Sequence, residues 1–365
     1  MRILQVIGVL NRGGAETLLM NVFRNVDRTK YKFDFLVFKN EDYPYSEEIK
    51  KLGGNIYCIE SPKQIGIVGY VKNVKKLCLK NHYDVIHSHT LYNCGPTVFA
   101  GFLAGVKTRI SHCHSSRRLD KGRQSVKKEI YYHLSKILIN LFSTDKIACG
   151  KEAGKLLFWG NKYSVIKNGI NIKTYRFSSD KRKKIRSMLK ISDDVVVLGH
   201  IGRFVYIKNQ EYLLDIVEKL INDHNMRVKL LMIGDGEMKN DIRRMVKKRK
   251  LSNSVIIMDG VNNVFEYYNA MDIFVFPSLF EGVPMTLIEA QANGLKIIAS
   301  EKISRECNIT GNITFLPIEK KSIDLWVNEI VSAEISHHDY YDKIKTEGYL
   351  IEDTVTKIID KYNGE

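Results

Sequence analysis

Residues 280–290 read FEGVPMTLIEA, and they follow the apolar run IFVF at 273–276. A short continuous apolar run is what a strand covered on both faces requires. Pro277 ends it, so Glu281 and Gly282 fall in the loop at the strand's C-terminal edge. Pro284 suits the first turn of a following helix, where its missing N–H is not needed. Gly294 suits the end of that helix as a left-handed cap, and residues 296–299 supply another strand. Strand, loop, helix and strand in this order make the unit of a parallel sheet. Two carboxylates sit in it, Glu281 in the loop and Glu289 inside the apolar TLIEAQA. A carboxylate in such a helix is costly unless it is paired or bound. At that place it suits a pair of vicinal hydroxyls, while the backbone around Gly282, Val283, Pro284 and Met285 suits a phosphate at a helix N-terminus.

The same rhythm fills the chain. Strand patterns lie at 3–8, 33–38, 56–59, 85–89, 108–112, 146–149 and 165–166. They resume at 195–199, 229–233, 255–258, 273–276 and 297–299. Amphipathic stretches such as 16–26 and 68–79 separate them, and residues 173–191 form a polar, charged connector. We therefore expect two doubly wound α/β domains, residues 1–175 and 190–345. A last amphipathic helix within 346–365 is expected to pack back on the first. Ligands of such sheets gather beyond the C-terminal strand ends, so facing domains would bind them in a cleft.

Length fits two domains, with 365 residues and 44% apolar content. No apolar run is long enough to span a membrane, and MRILQVIGVLNRGG is too short and polar for a signal peptide. Six scattered cysteines form no C-x-x-C pair, which suggests a reducing, cytoplasmic setting. The formal charge of +16 favours anionic partners. It concentrates at 107–155, where twelve Lys or Arg, among them Arg117, Arg118, Lys121 and Arg123, face four acidic residues. Beside them the apolar IYYHLSKILINLF at 130–142 reads either as a core helix or as one lying on an anionic bilayer. Nucleic acid is not expected, because no zinc finger, RRM signature or interleaved aromatics occur.

Smaller features fall at the expected strand ends. Gly13 and Gly14 follow the first strand, and adjacent glycines allow a ligand to approach the backbone at a helix start. Neither a G-x-G-x-x-G fingerprint nor a Walker A loop is present, which argues against a nicotinamide dehydrogenase or an ATPase. His87 and His89 end one strand; His112 and His114 end the next. Members of each pair share a strand face. No metal is expected, since neither H-E-x-x-H nor a carboxylate cluster accompanies them. His87 suits a hydrogen-bonding role, and His114, followed by Ser115 and Ser116, suits contact with a reacting group or sugar hydroxyl. In GRFVYIKN, Arg203 and Lys208 make a fork and a point charge fit for a diphosphate.

Taken together, NRGGAE, DVIHSH, RISHCHS, GRFVYIKN, IGDGE and FVFPSLFEGVPMTLIEAQANGLKIIAS resemble the retaining GT-B glycosyltransferases of family 4, the glycosyl transferases group 1 type. The narrower likeness is to capsular and exopolysaccharide enzymes. The resemblance covers most of the chain, and the two Glu separated by seven residues are its most specific part. It implies a GT-B fold and a hexosyltransferase using a nucleotide sugar, usually UDP-linked, with no cofactor or metal. It also implies roles. Arg203 and Lys208 would hold the diphosphate, Glu281 would face the donor sugar, and Glu289 would bind the ribose. Gly13 and Gly14 would line the cleft. The catalytic histidine falls in RISHCHS, at His112 or His114, and we favour His114.

The resemblance also implies a front-face displacement with retention, and no carboxylate pair of the glycosidase type is evident. The acceptor is expected to be a glycan, polyprenyl-diphosphate-linked, met at the inner face of the cell membrane. Residues 306–313 and the part beyond Asp339 depart from the family text and leave the acceptor open. Two other readings share these residues: a sugar-nucleotide 2-epimerase, and a non-catalytic scaffold on the membrane surface. Retention of Arg203, Lys208, Glu281 and Glu289 together argues against the scaffold.

Overall fold

A computed structural model describes residues 1–115 and 125–365. Ser116, Arg117, Arg118, Lys121 and Arg123 lie outside the described residues. The chain divides into two compact units, Met1–Ile170 with Gly348–Glu365, and Asn171–Glu347.

The first unit is built on β1 (Arg2–Gly8), β2 (Lys32–Val37), β3 (Ile56–Cys58), β4 (Val85–Ser88), β5 (Thr108–Cys113), β6 (Asp145–Ala148) and β7 (Ser164–Val165). They form one parallel sheet in the order β3-β2-β1-β4-β5-β6-β7. Apolar residues on both strand faces explain why helices cover both sides. On one side helix Gly14–Asn25 buries Leu18, Leu19, Val22 and Phe23. They pack with Ile3, Phe33 and Phe35, and the Phe23 and Phe33 rings stack. Ile358 and Tyr362 of the last helix, Ile351–Asn363, enter the same core. On the other side Tyr70, Val71 and Val74 of helix Pro62–Asn81 meet Leu4, Val6 and Ile86.

The second unit holds β8 (Val196–Ile201), β9 (Val228–Ile233), β10 (Val255–Met258), β11 (Ile273–Phe276), β12 (Lys296–Ser300) and β13 (Ile313–Leu316). They too are parallel, in the order β10-β9-β8-β11-β12-β13. Strand β13 opens on the last residue of the Asn-rich stretch and is not among the strands expected from the sequence. Its edge position is fixed by pairing with β12.

Two readings need correction. The charged stretch at 173–191 is not a bare connector. It carries helix Ser179–Met188, capped by the Ser178 side chain and belonging to the second unit. Arg186 explains why: its buried guanidinium pairs with Asp272 at 2.6 Å just before β11. Pro284, expected in the first helical turn, is instead the extended N-cap of helix Met285–Asn293.

In both sheets the strand order reverses at one place, between β1 and β4 and between β8 and β11. Connections diverge there and leave the C-terminal strand edges open for a ligand.

Candidate functional site

In the first unit the switch point carries the glycines and the histidines. Gly13 caps helix Gly14–Asn25 with extended backbone, and Glu16 lies in the first turn, where the helix dipole favours an acid. One strand over, parallel register sets Gln5 of β1 beside His87 of β4, and β4 beside β5. Period-two alternation then brings His87, His89, His112 and His114 together. His87 Nε2 meets His112 Nδ1 at 3.2 Å, and His89 Nδ1 meets His114 Nε2 at 2.9 Å. His87 Nδ1 meets the Tyr362 hydroxyl at 2.8 Å, and His89 Nε2 meets Gln5 Oε1 at 3.0 Å.

Burial pushes His87 down to about 3 and His114 to about 4, and holds His89 and His112 well below the ordinary range. All four rings are therefore neutral at pH 7. Among the described residues, His87, His89 and His112 offer ring nitrogens within 4.8 Å of one another. Both nitrogens of His87 and of His89 are already engaged in hydrogen bonds, so a metal would have to break that network. Among the described residues, two ring nitrogens of this cluster have no partner, the buried His112 Nε2 and His114 Nδ1.

In the second unit the switch point carries the carboxylates and the cations. The turn IGDG after β9 shapes the approach. A Cβ on Gly234 would lie 2.1 Å from the Gly202 carbonyl oxygen, and one on Gly236 would lie 2.4 Å from that of Phe204. Both glycines have positive φ, so only glycine fits. The close approach lets Gly202 donate to Ile233 and Phe204 to Asp235, which fixes the backbone on either side of the exposed Arg203. The following loop is tied to the end of β11: Leu279 donates to Ile207, and the Asn209 amide donates to Pro277.

These ties bring Lys208 to Glu281, Nζ to Oε1 at 2.6 Å. Ser278 donates to the same oxygen at 2.8 Å, and Lys208 lies over the Phe276 ring. Glu281 is further anchored through its backbone, which accepts from Ser304 and bridges Ile303. One turn beyond the N-terminus of helix Met285–Asn293, Glu289 is buried and accepts from the Tyr268 hydroxyl at 2.7 Å. Burial raises its pKa, while hydrogen bonds from Tyr268 and Tyr175 pull it back. Gly282, Val283 and Met285 can offer backbone N–H groups at the helix start; Pro284 has none to offer.

Glu281 and Lys208 thus meet directly, while Glu289 faces its own tyrosine partners. Gly13 and Gly14 belong to the first unit with His114. Sequence reasoning missed Gln5, Tyr362, Tyr268 and Ser278. Tyr268 sits in a Tyr-Tyr-Asn run next to a strand and could have been weighed as a partner for a buried acid. Tyr362 lies 357 residues from Gln5, and no local signal joins them.

The chain is similar to known proteins along most of its length. Residues 12–174 match the family described as Glycosyltransferase Family 4, and residues 195–333 match Glycosyl transferases group 1. The putative glycosyltransferase EpsF of Bacillus subtilis is 31% identical over an alignment of 373 positions, which covers 99% of this chain and 96% of that protein. The chain belongs to glycosyltransferase family 4. This family 4 glycosyltransferase is also 26% identical to the UDP-Gal:alpha-D-GlcNAc-diphosphoundecaprenol alpha-1,3-galactosyltransferase of Escherichia coli, over 95% of this chain and 96% of that one. Its fold matches the crystal structure of Anabaena Alr3699/HepE in complex with UDP and glucose, with a TM-score of 0.79 at 18% identity and full coverage of both chains. The family 4 enzyme therefore has the two-domain α/β GT-B fold.

Proposed function

We propose that the enzyme moves a hexose from a UDP-sugar to a hydroxyl of a polyprenyl-diphosphate-linked glycan, with retention, in surface polysaccharide synthesis. The observation that carries this is the pairing of Lys208 with Glu281 at the β8–β11 switch point, with buried Glu289 one turn into the helix Met285–Asn293 that follows. The E. coli relative's name supplies the class of donor and acceptor. In this reading Arg203, Lys208 and the N-terminus of helix Met285–Asn293 neutralise the diphosphate. Glu281 orients the sugar and shares Lys208 with the phosphates, and Glu289 accepts from the ribose hydroxyls. Gly13 and Gly14 give close backbone approach, and His114 receives a sugar or acceptor hydroxyl.

The anomeric carbon–phosphate oxygen bond breaks while a bond to the acceptor oxygen forms on the same face. The acceptor's proton passes to the departing diphosphate oxygen. Charge on the leaving group grows in the transition state, and fixed cations there lower the barrier more than they tighten binding.

The reading extends to a membrane surface. Val126, Ile130, Leu134, Ile137 and Leu141 of helix Val126–Phe142 are exposed, and their spacing of three and four puts them on one stripe. Tyr132, Ser135 and Ile139 form its buried face. Exposed apolar residues beside Lys127 and the basic stretch suit an anionic bilayer carrying the lipid-linked acceptor. Among the described residues no helix is long and apolar enough to cross a membrane.

Calorimetry with UDP-, GDP- and ADP-sugars tests the donor. One UDP-sugar should bind, and Glu289→Ala and Arg203→Ala should each abolish binding. Absence of binding to every nucleotide sugar would overturn the proposal, and conversion of the donor to its epimer without acceptor would favour an epimerase.

A further inference from the structure

We infer that Gln5 and Tyr362 are positioning residues that set the proton positions of the histidine cluster, so that His112 and His114 present one donor and one acceptor to a substrate hydroxyl. The inference deepens the proposed function and rests on its placing a substrate hydroxyl at this strand edge.

Six side chains share the protons of this network. Each neutral imidazole carries one N–H and one lone pair. Gln5 has one accepting end and one donating end. Its Oε1 lies 3.0 Å from His89 Nε2, so that nitrogen carries the proton. His89 Nδ1 is then a lone pair, and it faces His114 Nε2 at 2.9 Å. His114 must donate there, which leaves His114 Nδ1 as a bare lone pair.

The other branch starts from the Gln5 amide N–H, which donates to the Tyr362 oxygen at 2.8 Å. Among the described residues, the buried Tyr362 hydroxyl has one other partner, His87 Nδ1 at 2.8 Å. Its proton goes there. His87 is then protonated on Nε2 and donates to His112 Nδ1 at 3.2 Å. His112 carries its own proton on Nε2. The branches therefore end on an N–H and a lone pair, and these are the cluster's two ring nitrogens that have no partner among the described residues.

The result does not depend on which way the amide points. Turning Gln5 over reverses every bond in both branches. The two ends exchange character but never become alike, because a single amide feeds both. A hydroxyl both donates and accepts, so it satisfies such a pair. A metal ion needs lone pairs from both nitrogens and does not.

The test is long-range proton–nitrogen NMR of the full chain at pH 7 with ring-labelled histidine, assigned through single His→Asn variants. All four cluster histidines are expected to be protonated on Nε2. All four on Nδ1 also supports the inference, with the amide reversed. A mixed set, or a charged ring, overturns it. In Tyr362→Phe the branch to His112 loses its anchor, so His112 should show mixed proton positions while His114 keeps one. An unchanged His112 would remove Tyr362 from the relay. The wild-type spectrum is decisive even if that variant folds poorly. No nucleotide sugar is present, so failure here is distinct from failure of the calorimetry.

Discussion

The Tyr268 hydroxyl donates a hydrogen bond to Glu289 across 2.7 Å, and both side chains are buried. Desolvation disfavours the carboxylate and raises its pKa, and the hydrogen bond offsets that only in part. Protonation is thus easier in the folded than in the unfolded state. Stability falls as pH rises from the ordinary carboxylate range through the raised value. Glu289→Gln keeps a partner for Tyr268 and removes the buried charge. It should raise the melting temperature at neutral pH and weaken UDP-sugar binding by about tenfold to a hundredfold, the worth of hydrogen bonds to a charged group. Calorimetry and thermal denaturation of the one variant measure both. A variant that binds normally would separate Glu289 from the ribose.

Lys208 and Glu281 should behave differently from that pair. Their contact lies at the loop edge, where a diphosphate would compete for the cation. Lys208→Ala should lower kcat by about a hundredfold with a smaller rise in donor KM, the effect of removing one fixed donor to developing charge. An equal loss in binding and none in kcat would make Lys208 a ground-state contact.

Asp272 supports the site from below. It accepts from Arg182, from buried Arg186 and from the Val197 backbone. Asp272→Ala would leave Arg186 uncompensated in the interior and should destabilise by about 3–5 kcal/mol. Denaturant unfolding monitored on the second unit checks this. A loss under about 1 kcal/mol would mean that the carbonyls around Arg186 suffice, on the scale of an ordinary hydrogen bond.

The alternation of strands and helices was legible because both sheets are parallel and buried, so most strands carry a short apolar run, such as IFVF in β11 and VKLLMI in β9. The 280–290 stretch was legible for a related reason: a carboxylate in an apolar helix stands out against its neighbours. Strand β13 and helix Ser179–Met188 were not. The first depends on pairing with β12, and the second is held by Arg186 reaching Asp272, 86 residues away. The relay from Gln5 through Tyr362 has the same character. Its members are joined by the return of the last helix to the first sheet, and local spacing carries no trace of it.

The apolar stripe on helix Val126–Phe142 makes a further expectation. Ile130→Ser with Leu134→Ser removes exposed apolar surface without touching buried Tyr132, Ser135 or Ile139. Sedimentation with vesicles containing phosphatidylglycerol should show binding by the wild type, reduced by salt and lost in the double variant. Thermal stability should hardly change. Equal binding by both proteins, or none by the wild type, would remove the membrane from the proposal.

The histidine cluster sets the acid limit of the first unit. His114 falls from 6.5 to about 4 on burial, and His87 to about 3. The unfolded chain binds protons on these rings in a range where the folded chain does not. Stability is full above the unfolded value near 6.5 and is lost as pH drops toward the folded values. Denaturant midpoints at pH 7, 6 and 5 should therefore decline. His114→Asn should flatten the decline by the share of one ring, whatever its effect at pH 7. An identical slope in variant and wild type would mean that His114 is protonated in the folded protein, and the neutral relay from Gln5 would fall with it.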